Sequence, residues 1–225
     1  MKLKFGAIIV DGSGKIGGHV VSKNRGGKYL RTKVTPNNPN TTAQQGARAL
    51  LSSLSTAWAG LTEAQRLSWN GAVSSYASTD IFGDIKNPSG FNLFVKLNAN
   101  LGLIGEAVLV VAPEKIEVPY SVIDSAVIDL SSTTGLVTFG DTNYNGISVL
   151  ISATPSVSQG KTNVNSLFRV IGAFEITTAE ADIYDAYVAK FGIPAVGANV
   201  SVKIEPIVLT GQKGIGQTAK VLVQA

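Results

Sequence analysis

The chain has 225 residues with 44% hydrophobic content, enough for one large domain or two small ones, each burying its own core. Only 15% of residues are charged, against about a quarter in a typical soluble domain, so the surface is thinly solvated and an oligomer is expected. The absence of cysteine and the single histidine exclude disulfide frameworks, thiolate chemistry and multi-histidine metal sites.

The N-terminus begins with a short apolar run, residues 8–10, that Asp11 interrupts. It is too short for a signal peptide, and no run approaches a membrane span, so a soluble chain made in the cytoplasm, with no membrane partner, is expected. Residues 5–10 read as a strand, followed by the turn signal Asp11-Gly-Ser-Gly14. Residues 16–23 and 29–34 are β-capable runs joined by the glycine-containing loop Asn24-Arg-Gly-Gly27. Such a ribbon is marginally stable alone, so it must pack on the helices that follow or on another subunit.

The net charge of +4 concentrates here. Residues 1–35 carry eight cations against Asp11, a net +7, whereas residues 106–225 carry a net −4. A basic arm on a mildly acidic body can bind nucleic acid or pair with an acidic neighbouring subunit. Only Phe5 and Tyr29 offer rings for base stacking, so nucleic acid is the weaker reading.

Thr35-Pro-Asn-Asn-Pro-Asn40 cannot continue a strand, because proline fixes φ and removes a donor. A helix follows, with Thr41 or Thr42 as cap and Gln44 or Gln45 completing a capping box, and Gly60 ends it. Thr62-Glu-Ala-Gln65 opens a second helix through Leu67, Trp69 and Tyr76. The short link predicts an antiparallel helical hairpin, with Trp58 and Trp69 as packing anchors. After a loop holding Asp80 and Asp84, residues 91–103 form a third amphipathic helix closed by Gly102 and Gly105.

From residue 107 the texture turns β-rich. Strands are predicted near residues 108–111, 125–129, 136–139, 148–153, 168–174, 199–208 and 219–223, interrupted by a short helix over 178–191 capped by Thr178. The expected fold is α+β: residues 1–112 a basic β-ribbon with helices, residues 113–225 a β-sandwich containing a short helix.

Motifs that could carry chemistry have plainer readings. Gly12-Ser-Gly14-Lys-Ile-Gly17 matches the dinucleotide fingerprint, but a β-branched run follows where a helix is required. Gly160-Lys-Thr162 lacks the earlier glycine of a phosphate loop, since Pro155 stands there. Asp141-Thr-Asn143-Tyr-Asn145-Gly146 matches half a calcium loop, but Ser152 occupies the position of the bidentate acid, so a hairpin turn is expected. A catalytic triad would have to use His19, which lies in the ribbon with no nucleophile motif around it. Asp182 and Asp185 on one helix face, and Asp80 and Asp84 in one loop, read as solvated surface acids. No enzyme site, cofactor or metal is expected.

Residues 14–33 followed by Pro-Asn-Asn-Pro-Asn-Thr, the block Ala59-Gly-Leu-Thr-Glu-Ala-Gln-Arg-Leu-Ser-Trp-Asn70, and Thr79-Asp-Ile-Phe-Gly-Asp-Ile-Lys-Asn-Pro-Ser-Gly-Phe-Asn92 resemble a protein family associated with tailed bacteriophages, prophages and gut Bacteroidetes genomes. Ala153-Thr-Pro, Phe168-Arg-Val-Ile and Phe191-Gly-Ile-Pro-Ala-Val-Gly are similar to fibronectin-like or immunoglobulin-like β-domains that accompany it. The resemblance implies a structural component of the virion, partnered by other virion proteins and by copies of itself, and it supplies no catalytic residues. On this reading Lys15, Lys23, Arg25, Lys28, Arg31 and Lys33 supply charge contacts to a neighbouring subunit, and Trp58 and Trp69 supply packing. The alternative is a carbohydrate- or host-surface-binding module, for which Tyr120 and Tyr144 are the loop candidates.

Overall fold

A computed structural model describes residues 2–3, 12–24, 26–118, 122–140, 147–175 and 180–224. The predicted strand over 5–10, Arg25, Tyr120, the Asp141–Gly146 turn with Tyr144, and Thr178 lie outside the described residues. The fold is mixed α+β, as the sequence indicates: among the described residues there are four α-helices, a small antiparallel sheet at the N-terminus and a large sheet at the C-terminus.

The N-terminal ribbon is a four-stranded antiparallel sheet of β1 (Lys2–Leu3), β2 (Gly14–Ile16), β3 (His19–Asn24) and β4 (Gly27–Thr32), in the order β1-β4-β3-β2. The β-capable run over 16–23 is therefore two strands. Gly17, at φ +53°, opens the turn that separates them, a conformation that costs a glycine little. The amide of Gly26 donates to Asn24 Oδ1 at 2.9 Å and closes the β3–β4 turn.

Two capping boxes start α1 (Thr42–Gly60) and α2 (Glu63–Ala72), with Thr41 reciprocating Gln44 and Thr62 reciprocating Gln65. A small antiparallel hairpin of β5 (Ser78–Thr79) and β6 (Ile85–Lys86) leads into α3 (Gly90–Ile104), capped by Ser89 and ended by Gly105 in the left-handed conformation at φ +79°. The expected α1–α2 hairpin is corrected: each helix packs on α3, not alongside its neighbour. The physical reason is aromatic. Trp58 of α1 meets Phe91 and Phe94 at ring-centroid distances of 5.8 and 5.3 Å, and Trp69 of α2 meets Phe94 edge-on at 5.2 Å. Packing both indoles on one phenyl ring turns the extended Leu61-Thr62 link so that both apolar faces meet α3. Leu54, Leu61, Trp69, Leu93, Phe94 and Leu97 form this core.

The segment over 108–111, expected as a strand, pairs with none among the described residues. Side chains of the helices hold it instead. Leu109 N donates to Asn98 Oδ1 at 2.7 Å, Trp69 Nε1 donates to Val110 O at 3.1 Å, and Ala112 N donates to Ser68 Oγ at 3.2 Å.

The large sheet comprises β7 (Ile123–Asp129), β8 (Thr134–Phe139), β9 (Ile147–Ala153), β10 (Arg169–Glu175), β11 (Glu180–Asp182), β12 (Asn199–Val208) and β13 (Gln217–Gln224). Its order is β10-β9-β12-β13-β7-β8-β11, antiparallel except for the β13–β7 pair. One core takes alternate residues from both wings: Val137 and Phe139 from β8, Val149 and Ile151 from β9, and Val202 and Ile204 from β12. The sheet therefore curls around a shared interior, closed on one side by α4 (Tyr184–Phe191) through Ile183 and Tyr187. The helix expected over 178–191 starts later than its sequence implies. Residues 180–182 pair with β8, and the Asp182 carboxylate accepts from Gly135 N and Tyr184 N at 3.0 and 2.9 Å, which starts the helix at Tyr184.

The opposite face of β9 and β12 is also covered. Leu150 and Ile207 are wholly buried there, and α3 lies over that face. This double coverage suits β9, where only Ser148 and Ser152 interrupt the apolar residues, whereas β12 alternates, with Ser201, Lys203 and Glu205 between its core residues. The joint is tight: Asn100 Nδ2 donates to Gly211 O at 2.8 Å, and a Cβ at Gly211, where φ is +75°, would meet the Leu97 backbone.

Candidate functional site

The ribbon's strand register sorts the predicted cations. Lys15 stands opposite Val20, and Val20 opposite Arg31, so the three share a face, and Lys33 follows Arg31 by one alternation. Lys15, Arg31 and Lys33 line one side of a cleft of about 250 Å³, with Val20, Val34 and Pro36 as its apolar wall. Among the described residues no ion pair joins these three cations to a carboxylate, and all three are exposed. On the other face Lys23 stands opposite Lys28, and the buried Val21 stands opposite Leu30. His19 faces Thr32 and is exposed, with no catalytic partner beside it.

An ordered segment joins the ribbon to α1. Arg48 of α1 donates from Nη2 to Asn38 Oδ1 at 2.7 Å and from Nη1 to Asn40 Oδ1 at 3.0 Å, so a single guanidinium fork holds the proline-asparagine segment. Asn40 itself sits at φ +50°, a conformation asparagine tolerates better than most residues. Sequence reasoning missed Arg48. The signal was available, as the one cation on the first turns after a run of three asparagines.

Trp58 and Trp69 are brought together around Phe94, away from the ribbon. Trp69 is fully buried within its own chain, which corrects its expected role as a subunit contact. It is a core residue, whereas Trp58 is half-buried.

A second exposed feature was hidden in the loop with the paired acids. Asp80 is no free surface acid: its Oδ1 accepts from Phe82 N at 2.8 Å and from Asp84 N at 3.1 Å. Asp80 N donates to Asp84 O at 3.0 Å, and Gly83 adopts φ +83°. This network fixes a hairpin tip that presents large apolar side chains, with Ile81 76%, Ile85 75% and Phe82 44% exposed. The sequence cue is Asp80-Ile-Phe-Gly83-Asp84, in which apolar residues occupy turn positions where polar ones ordinarily sit.

The other motifs resolve as turns. Gly12–Gly17 lies in the β2–β3 hairpin, and Lys161 N donates to Ser158 O at 3.1 Å in a turn that contains Gly160. Among the described residues no three His, Asp or Glu side chains group as metal ligands, and no helix is long and apolar enough to cross a membrane.

No protein-family profile matches the chain, and no curated protein matches it. Among solved structures it is similar to a Fn3-like protein from Clostridium thermocellum, at 18% identity and a TM-score of 0.29, the match covering 48% of this chain and 94% of that one.

Proposed function

We propose that this chain is a non-enzymatic structural protein of a tailed-bacteriophage particle, a capsid-decorating protein or a neck or tail ring subunit, that assembles through its basic ribbon onto neighbouring copies and other virion proteins. The virion setting rests on the family resemblance of residues 10–100. The observation that carries the assembly role is the ribbon itself. Among the described residues its strands pair with one another, neither described core cluster includes a residue of it, and its cleft gathers three cations without a carboxylate. A strand ribbon with so little core of its own gains most from a partner that covers it.

In this reading the chain divides near Pro113, since Ala112 packs on the helical core and Val118 on the sheet core. The C-terminal half is a fibronectin- or immunoglobulin-like sandwich, a reading supported by the two wings of one sheet, antiparallel but for its β13–β7 pair, closing on a common interior. Nucleic acid is the second reading, favoured by Lys15, Arg31 and Lys33 on one strand face with Tyr29.

The test is the solution mass by light scattering of the full chain and of residues 36–225. Among the described residues neither core draws on residues 1–35, so the shortened chain keeps the described members of both. A defined oligomer that falls to monomer on shortening supports assembly through the ribbon; an unchanged oligomer refutes it. Salt-dependent DNA binding that is lost on neutralising Lys15, Arg31 and Lys33 selects the second reading.

A further inference from the structure

We propose that the cationic face of one copy's ribbon docks in an acidic notch of the next copy, at the joint between α3 and the large sheet. This deepens the assembly reading and rests on it. Both halves of the contact are present on each chain.

The notch has a volume of about 290 Å³ and is lined by Glu106, Glu175, Ser148, Ile104 and Leu209. Glu106 follows Gly105 at the end of α3, and its amide donates to Leu101 O at 3.0 Å, which holds it at the helix terminus. Glu175 ends β10 and stands opposite Ser148 of β9. Both glutamates are exposed, and among the described residues no cation pairs with either carboxylate. No basic residue stands in the last turn of α3, so the partial negative charge of its carbonyl end adds to theirs.

The ribbon supplies the matching half. Lys15, Arg31 and Lys33 are exposed around its cleft, and among the described residues no carboxylate pairs with any of them. The wider charge agrees in sign: residues 1–35 carry a net +7 and residues 106–225 a net −4, which draws ribbon and sheet of separate copies together. In the notch the Arg31 fork takes one carboxylate through two parallel N–H···O bonds, and the Lys33 ammonium takes the other. The Ser148 hydroxyl accepts a further N–H, and Ile104 and the half-exposed Leu209 cover the apolar stems of the cations.

The two surfaces lie on different elements of the chain. Such a contact is heterologous, so successive copies close into a ring or continue as a filament.

Charge reversal tests the pairing. Three variants of the full chain are compared with wild type by sedimentation velocity over a concentration series, with circular dichroism confirming that each is folded. The first carries Arg31→Glu and Lys33→Glu, the second Glu106→Lys and Glu175→Lys, and the third all four substitutions. The first and second each weaken self-association by about tenfold or more, as expected when like charges face one another. The third regains most of that loss, because the contact is rebuilt with its signs exchanged. A control with Glu117→Lys and Asp124→Lys, exposed acids that do not line the notch, changes the net charge as the second variant does and associates like wild type.

A folded Glu106→Lys, Glu175→Lys chain that associates like wild type overturns the proposal, as does a fourfold variant no stronger than the first two. A control that weakens association as much as the notch variant also overturns it, since net charge alone is then the cause. Removal of residues 1–35 separates the two levels. If that removal dissolves the oligomer while the notch variant leaves it intact, the ribbon docks on another surface: the pairing fails and the assembly reading stands. If removal leaves the oligomer unchanged, or wild type is monomeric throughout the series, both fail.

Discussion

Asn98 and Leu109 exchange two hydrogen bonds, Leu109 N donating to Asn98 Oδ1 at 2.7 Å and Asn98 Nδ2 donating to Leu109 O at 3.3 Å. A buried side-chain amide thus stands where a neighbouring strand would be, giving an extended segment the donor and acceptor that a sheet would have supplied. The same Nδ2 donates to Phe94 O at 3.0 Å, one turn back in α3. Replacing Asn98 with Leu leaves the partly buried Leu109 amide unpaired and is expected to destabilise the fold by about 1–3 kcal/mol. Asn98→Asp keeps the acceptor and loses both donations. In urea unfolding, a reduced midpoint at unchanged slope is the expected outcome for each.

The joint between α3 and the sheet admits no side chain at Gly211. Its φ of +75° and the nearness of the Leu97 backbone both act against a Cβ. Gly211→Ala should cost about 1–3 kcal/mol from conformation alone and more from the collision. Gly160→Ala is the matched control, since a Cβ there meets nothing within 4 Å, and it should change stability by less than about 0.5 kcal/mol. Thermal unfolding of the two variants side by side checks the difference.

Tyr187 is 1% exposed and its hydroxyl has no hydrogen-bond partner among the described residues. Burial pushes the phenol up to about 12, and the nearby Ser156 backbone eases the shift only in part. Tyr187→Phe removes an unsatisfied group and should stabilise the protein by about 1 kcal/mol. The ionisation predicts a further effect. The folded phenol titrates above its unfolded value of 10.0, so its contribution is whole below pH 10 and declines as pH rises towards 12, where the folded form ionises too. Wild type should therefore lose stability across that window more steeply than Tyr187→Phe, as read by urea midpoints at several alkaline pH values.

On the α3-facing side of β12, Glu205 lies between Lys203 at 2.9 Å and Lys213 at 2.8 Å. Burial by itself would raise its pKa; the two ammonium groups outweigh that and hold it below the ordinary carboxylate value. A lowered folded pKa means stability that is complete above the unfolded value and disappears as pH falls through the folded one. Glu205→Gln should cost about 1–2 kcal/mol at pH 7, and the gap from wild type should close on acidification. Denaturant midpoints of both chains from pH 7 to pH 3 test it.

What the sequence revealed follows from how local each signal is. Thr41–Gln44 and Thr62–Gln65 mark helix starts because a capping box is complete within four residues. The strands β9 and β12 were legible as β-rich runs with turns between them. Residues 108–111 are likewise β-rich, but Leu109 bonds to Asn98 and Val110 to Trp69, a partner 41 positions away. The relation of α1 to α2 depended on Phe94, which lies beyond both helices. For the candidate site, the basic composition was visible, but which cations share a face depended on the turn at Gly17. Lys15 and Lys23 differ in their surroundings because a strand register, not a charge count, distributes them.

The Arg48 fork has a mechanical consequence. A pull on the ribbon is transmitted through Asn38 and Asn40 into the side of α1, not along the chain alone. From there the load crosses the Trp58–Phe94 stack into α3 and reaches the sheet at the Asn100–Gly211 bond. Each of these links is lateral, so tension on the ribbon is carried as shear across packed side chains.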